Sequence, residues 1–105
     1  MTSTSLAAEP VVVPEVAIVD YTLSMSQPRR LTADTGLDAL THAIESYVSR
    51  KATSDTRAVA AQAMGAIFGS LKRAYEDGDD EDARREMMHG ATLAGIAFSN
   101  ASVAL

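Results

Sequence analysis

From Leu31 onward the apolar positions fall at helical spacing. Leu37, Leu40, Thr41, Ile44, Tyr47 and Val48 recur every three or four residues, which predicts one apolar stripe on a first helix. Asp34 or Thr35 is the expected cap, with Gly36 weakening the first turn. The stripe breaks over residues 50–53. Ser54 and Asp55 can cap a second helix with apolar positions at Val59, Ala60, Ala63, Met64, Ile67, Phe68 and Leu71, ending near Tyr75. An acidic turn follows, Glu76-Asp77-Gly78-Asp79-Asp80, in which Gly78 suits a left-handed helix end. A third helix is expected from residues 80–82, where acids favour an N-terminus. Its apolar set is Met87, Met88, Ala91, Leu93, Ala94, Ile96, Ala97 and Phe98. Its second half is apolar nearly all round and rich in Gly and Ala, which predicts burial and close backbone approach.

The N-terminal third reads differently. The first ten residues are small and polar and predict a frayed terminus. Val11-Val12-Val13 and Val16-Ala17-Ile18-Val19 are short β-branched runs separated by Pro14. The second run predicts a short buried strand, the last of a sheet whose other strands lie elsewhere. Residues 21–30, with Pro28, read as a connector. The expected architecture is therefore mainly α: one short strand, then about three helices.

Composition adds limits. With 105 residues, 47% of them hydrophobic and 22% charged, the chain suits one small domain. Aromatics make up only 5% and Trp is missing, so the core must be built from Ala, Val, Leu, Ile and Met. A core of that size is marginal alone, so partner surface is expected. A net charge of −5 without any basic stripe argues against nucleic acid and anionic membranes as partners. The absence of cysteine removes disulfides, thiolate metal sites and Cys nucleophiles. The first residues lack a signal-peptide pattern and no apolar run reaches membrane-spanning length, so a cytoplasmic setting is expected. The chain stops in apolar sequence at Ser102-Val103-Ala104-Leu105 with no helix stop signal, as a truncated sequence would.

Asp38 and His42 stand four apart on the first predicted helix, beside its apolar stripe and near Glu45. Residues at that spacing share a face, and a carboxylate with an imidazole can hold one divalent ion. The commoner outcome at this spacing is a solvated pair adding ~0.2–0.5 kcal/mol to the helix. Apart from Arg85 and Glu86, no acid or second histidine stands three or four residues from His89 on a shared face, and it reads as a hydrogen-bonded structural histidine. Met87 and Met88 read as core filling. The acids of residues 76–82 lack calcium-loop spacing and read as a solvated turn. Neither a glycine-rich phosphate loop nor a serine-protease-type motif occurs.

A longer pattern is more specific. Leu31-Thr32-Ala33-Asp34-Thr35-Gly36-Leu37-Asp38-Ala39-Leu40-Thr41-His42-Ala43-Ile44-Glu45-Ser46-Tyr47-Val48-Ser49 resembles the first signature of the iron-containing alcohol dehydrogenases. So do Val16-Ala17-Ile18-Val19-Asp20, Leu23-Ser24-Met25, and Arg85-Glu86-Met87-Met88-His89-Gly90-Ala91-Thr92-Leu93-Ala94-Gly95-Ile96-Ala97-Phe98-Ser99-Asn100-Ala101. The last block is most similar to propanol dehydrogenases and to the alcohol dehydrogenase part of bifunctional aldehyde–alcohol dehydrogenases.

The resemblance implies a dehydroquinate synthase-like fold with an α/β nucleotide-binding domain and a helical metal-binding domain. Residues 1–30 would then be the tail, last strand and connector of the first, and residues 31–105 part of the second. Asp38 and His42 match two of four metal ligands, for Fe²⁺ or Zn²⁺; Leu23 and Met25 match a loop bordering the NAD(P) cofactor. His89 matches a family residue that is not a ligand. The implied reaction interconverts a small primary alcohol and its aldehyde, the ion acting as a Lewis acid while hydride passes to or from NAD(P). The other two histidine ligands and the glycine-rich cofactor loop have no counterpart here, and Ser26-Gln27-Pro28-Arg29 departs from the usual connector turn. The chain alone is therefore expected to be inactive, and a homo-oligomer is expected from its unfinished apolar third helix. The non-enzymatic alternative is a truncated helical interaction module.

Overall fold

The computed structural model describes residues 15–102. After a single 3-10 turn at Tyr21–Ser24 come three helices: α1 at Arg29–Val48, α2 at Ser54–Glu76 and α3 at Glu81–Ser102. Short connections, residues 49–53 and 77–80, fold them back on one another, and each helix packs against both others. None of the helices described is long and apolar enough to cross a membrane.

The helices meet along seams of small residues. On α1 the buried positions are Thr32, Gly36, Ala39, Ala43 and Ser46. On α2 they are Thr56, Ala60, Ala63, Ile67, Ser70 and Ala74. On α3 Ala83, Gly90, Ala94, Ala97 and Ala101 continue the pattern. The α1 and α2 series alternate steps of four and three residues, and so does α3 from Gly90 onward, one heptad after Ala83; this repeat keeps one face of a helix on its neighbour. The buried hydroxyls cost little, because each bonds inside the structure: Ser46 Oγ donates to the His42 carbonyl at 2.7 Å and Ser70 Oγ to that of Ala66 at 2.5 Å. Among the described residues no buried side-chain N or O lacks a partner.

This reverses the expected orientation of α1. Apart from Leu40, which is half-buried and packs against the core, the stripe of large apolar residues faces outward: Leu37 is 53% exposed and Val48 71%, with Ile44 and Tyr47 also exposed. On α2, Phe68 likewise faces out. The small residues beside each stripe let the backbones approach more closely, so they form the interface and the large side chains flank it. α3 is not buried all round either, since Ala91, Gly95 and Ile96 are exposed.

The helix ends also shift. α1 begins at Arg29, not at Asp34 or Thr35; Pro28 is the cap, and Thr32 N donates to its carbonyl at 2.9 Å. Thr35 Oγ1 instead bonds the Leu31 carbonyl one turn back. The cap of α2 is Thr53, one residue earlier than expected, accepting from Thr56 N at 3.2 Å. Gly78 is not left-handed: no described glycine has a positive φ, and α2 ends at an extended Asp77. α3 starts where the acids predicted, with Asp80 Oδ1 accepting from Ala83 N at 3.0 Å.

The expected strand is not formed. Residues 16–20 have no ladder partner among the described residues, and Val16 and Ile18 are 76% and 89% exposed. A strand needs a neighbour for its backbone groups, and none of the described elements supplies one. The described fold is all-helical. The readings of residues 1–10 as frayed and of Val11-Val12-Val13 as a β-branched run lie outside the described residues, as does Val103-Ala104-Leu105.

Two glycines mark the closest approaches. A Cβ on Gly90 would meet Ile67 Cγ1 at 2.8 Å and the Ala63 carbonyl oxygen at 3.3 Å. One on Gly36 would meet Leu71 Cδ1 at 2.5 Å and Met87 Cε at 2.9 Å, both flexible side-chain ends. Backbone cannot yield as side-chain tips can. Gly90→Ala should therefore cost about 1–3 kcal/mol, as overpacking does. Gly36→Ala should cost clearly less, because Leu71 and Met87 can swing away and alanine favours the helix by about 0.5–1 kcal/mol. Urea midpoints of the two variants check the order.

The Asp80 carboxyl sits below its ordinary value, chiefly because it accepts the Ala83 N–H, with the bidentate Arg73 guanidinium also favouring the charged form. A lowered folded-state value adds stability above the unfolded value, and that share is lost as pH falls through the folded one. The gap in melting temperature between the parent chain and Asp80→Ala should be full at pH 6 and shrink steadily below pH 4. A gap that stays constant to pH 3 would contradict this.

Candidate metal half-site and connector

Asp38 and His42 project from successive turns of α1 toward the same side. Asp38 Oδ2 lies 3.9 Å from His42 Nδ1. Donors on one ion at about 2.0–2.2 Å stand roughly 3–3.5 Å apart, so a small side-chain rotation would suffice. The Asp38 side chain is 72% exposed and that of His42 38%. The pair is thus open on one side and backed by the bundle on the other.

The backing is specific. Phe98 of α3 stacks on the His42 ring, with centroids 4.4 Å apart and planes inclined by 29°. Ala39 and Ala43, the neighbours of Asp38 and His42, sit in the buried seam and fix the rotation of α1. A carboxylate oxygen and an imidazole nitrogen suit divalent iron or zinc. They make up half of an ordinary four-donor shell, and among the described residues no group of three His, Asp or Glu could hold an ion. Glu45 does not join the pair.

Leu23 and Met25 lie on the other candidate element. Asp20 Oδ1 accepts from Thr22 N at 3.0 Å and from Thr22 Oγ1 at 2.6 Å, closing the turn at Tyr21–Ser24. Those bonds, the hydroxyl's first, hold the Asp20 carboxyl below its usual range. Leu23 projects from this turn, 81% exposed, and Met25 is half-buried. Among the described residues no hydrogen bond or ion pair joins Leu23 or Met25 to Asp38 or His42.

The connector is anchored to α3 instead. The Arg85 guanidinium lies 4.8 Å from the Tyr21 ring centroid, and its Nη2 donates to the Tyr21 hydroxyl at 3.3 Å. Arg84 is buried and bonds Gln27 and Thr32. His89, expected as a hydrogen-bonded structural histidine, makes no side-chain hydrogen bond among the described residues. It is exposed, on the wall of an open cavity of about 330 Å³ with Tyr21, Arg85, Met88 and Thr92.

Residues 32–105 match the family model described as Fe-containing alcohol dehydrogenase family, C-terminal. The chain belongs to that family. It is 50% identical over 90 residues to long-chain-alcohol dehydrogenase 1 of Geobacillus thermodenitrificans, covering 86% of this chain and 23% of the relative. It is 46% identical over 94 residues to the NAD-dependent methanol dehydrogenase of Bacillus methanolicus, covering 90% of this chain and 25% of the relative. It is 46% identical over 92 residues to a 1-propanol dehydrogenase of Citrobacter freundii, covering 88% and 25%. This member of the iron-type family thus spans about a quarter of the length of the curated relatives it matches.

Two contributors to the site were not singled out from the sequence. Phe98 reads as one of the apolar set of α3, although it is one of only two phenylalanines and meets one of only two histidines. Arg84 gave no signal, because an arginine in an acidic helix start reads as a surface residue.

Proposed function

We propose that the chain forms part of an iron-type alcohol dehydrogenase that interconverts a small primary alcohol and its aldehyde with NAD(P), in a cytoplasmic setting. Residues 1–30 would carry the tail and connector of the nucleotide-binding domain, and residues 31–105 part of the helical metal-binding domain. The observation that carries the reading is the Asp38–His42 pair, adjacent on one face of α1 within a stretch matching the family model.

In this reading Asp38 supplies a carboxylate oxygen and His42 an imidazole nitrogen to Fe²⁺, or to Zn²⁺. Phe98 restrains the imidazole plane, so less freedom is lost when the ring becomes a ligand. Leu23 and Met25 border the dinucleotide with an apolar surface. When bound, the ion supplies Lewis acidity toward an alcohol or carbonyl oxygen, and the nicotinamide supplies the hydride donor or acceptor. The names of the relatives support an alcohol substrate, and the methanol dehydrogenase supports a nicotinamide.

Two ligands grip an ion weakly, and most of the relatives' length has no counterpart here. The isolated chain should bind Fe²⁺ or Zn²⁺ weakly, and Asp38→Ala or His42→Ala should each lower that affinity at least about tenfold. Anaerobic calorimetric titration of the three proteins measures this. Equal affinities in all three would remove the two side chains from the ion. No NADH should form from 1-propanol and NAD⁺; tight stoichiometric iron with turnover would refute the expected inactivity.

The outward apolar face supports a homo-oligomer. Leu37, Leu40, Phe68, Leu71 and Tyr75 line an open groove of about 380 Å³ between α1 and α2. Contiguous apolar surface of this kind marks interfaces. Sedimentation velocity should show self-association that rises with concentration and falls in Phe68→Glu. A monomer at all concentrations contradicts it.

A further inference from the structure

Arg84 is the one described arginine that is both buried, at 2% exposure, and without a carboxylate within 4 Å among the described residues. Its guanidinium bonds only neutral oxygens. Nε donates to the Gly78 carbonyl at 3.0 Å, Nη2 to the Gln27 carbonyl at 3.1 Å, and Nη1 to Thr32 Oγ1 at 2.7 Å, with Gln27 Oε1 at 3.5 Å. Gln27 and Thr32 lie 57 and 52 residues away in sequence.

The placement runs against two preferences. A buried cation normally pairs with an anion. Arg84 also sits in the first turn of α3, where the helix dipole disfavours positive charge. A cation kept there must owe its place to the contacts it makes, and those contacts converge on one junction. Gln27 ends the connector, Thr32 is in the opening turn of α1, and Gly78 is in the turn before α3.

We propose that Arg84 is a positioning residue that fixes the angle between the connector and α1. It thereby sets where the Leu23–Met25 segment stands relative to Asp38 and His42. The purpose of the clasp rests on the dehydrogenase reading; its geometry does not. Hydride transfer needs reacting atoms within about 3–3.5 Å, so a cofactor-bordering turn must be held steady against the helix that bears the metal ligands. The guanidinium suits the task because its planar fork spans several acceptors in fixed directions, whereas an ammonium offers a single rotatable point of contact.

The chain has no cysteine, so introduced pairs label uniquely. Nitroxides at Leu23→Cys and Thr41→Cys report the connector against α1, and nitroxides at Thr41→Cys and Gln62→Cys report the bundle alone. All three positions are exposed. Pulsed electron–electron resonance should give a narrow connector distance in the parent. In Arg84→Lys, which keeps the charge and loses the fork, its width should grow about twofold while the bundle distance stays unchanged. Thr32→Val, which removes one acceptor, should broaden the connector distance to a smaller degree and decides the matter if Arg84→Lys fails to fold. An unchanged connector width in the folded variants overturns the proposal. Equal broadening of both distances also overturns it, because Arg84 would then only stabilise the fold. Failure of metal binding by Asp38 and His42 would sink the dehydrogenase reading and leave these distances as expected.

Discussion

Close approach of three helix backbones is the constraint on which the structure depends. The seam positions hold Ala, Gly, Ser and Thr almost throughout, and Ile67 is the largest side chain among those most deeply buried. Small residues give up much of the transfer energy that leucine would supply. In return they permit interhelical contacts such as the one at Gly90, where an added methyl would strike Ile67 and the Ala63 carbonyl. Close contact at such points is completed by the partly buried side chains of Leu40, Met64, Leu71, Met87 and Leu93, which pack against the small-residue core. The seam hydroxyls fit the same logic, because a serine bonded to its own helix occupies little more room than an alanine.

That seam sets the chemistry. With Ala39 and Ala43 turned inward, Asp38 and His42 are carried to the border between buried and open surface. The same rotation presents the His42 ring to Phe98 across the α1–α3 contact. Rotating α1 to bury its leucines would move the pair elsewhere and break the stack. Packing by small residues and placement of the candidate ligands are thus one decision, made at the level of which face of α1 meets its neighbours.

Much of the helical layout was legible in the sequence, because caps and acidic starts act locally. Asp80 and the acids after it mark the start of α3, and the breaks read at residues 50–53 and 76–80 fall within a residue of the observed connections. The Asp38–His42 proximity was legible for the same reason, since helix geometry alone brings residues four apart together. What depended on distant residues was not. The start of α1 at Arg29 follows Pro28 and the hold of Arg84 on Gln27 and Thr32, contacts made across about half the chain. The strand at residues 16–19 was read from β-branched composition, but a strand is a property of a pair, and its partner is not among the described residues. The buried face of α1 was misread because two stripes run side by side along it, one large and apolar and one small. A hydrophobicity pattern weighs the first, while close packing selected the second.

The outward-facing large residues follow from the same choice. A helix carrying both stripes can bury only one against a given neighbour, and here the small one is taken. Leu37, Ile44, Tyr47, Val48 and Phe68 therefore remain exposed. Full burial of a large apolar side chain contributes about 1.5–3 kcal/mol, and each of these, already partly covered, leaves only a fraction of that unrealised. An alanine seam supplies shape and register at the expense of hydrophobic driving force, so the deficit stands on the faces beside it. The three-helix unit thus buries its small residues and leaves several large apolar ones open to solvent. Of these residues, Leu37 and Phe68 border the open α1–α2 groove, whereas Ile44, Tyr47 and Val48 lie outside its lining.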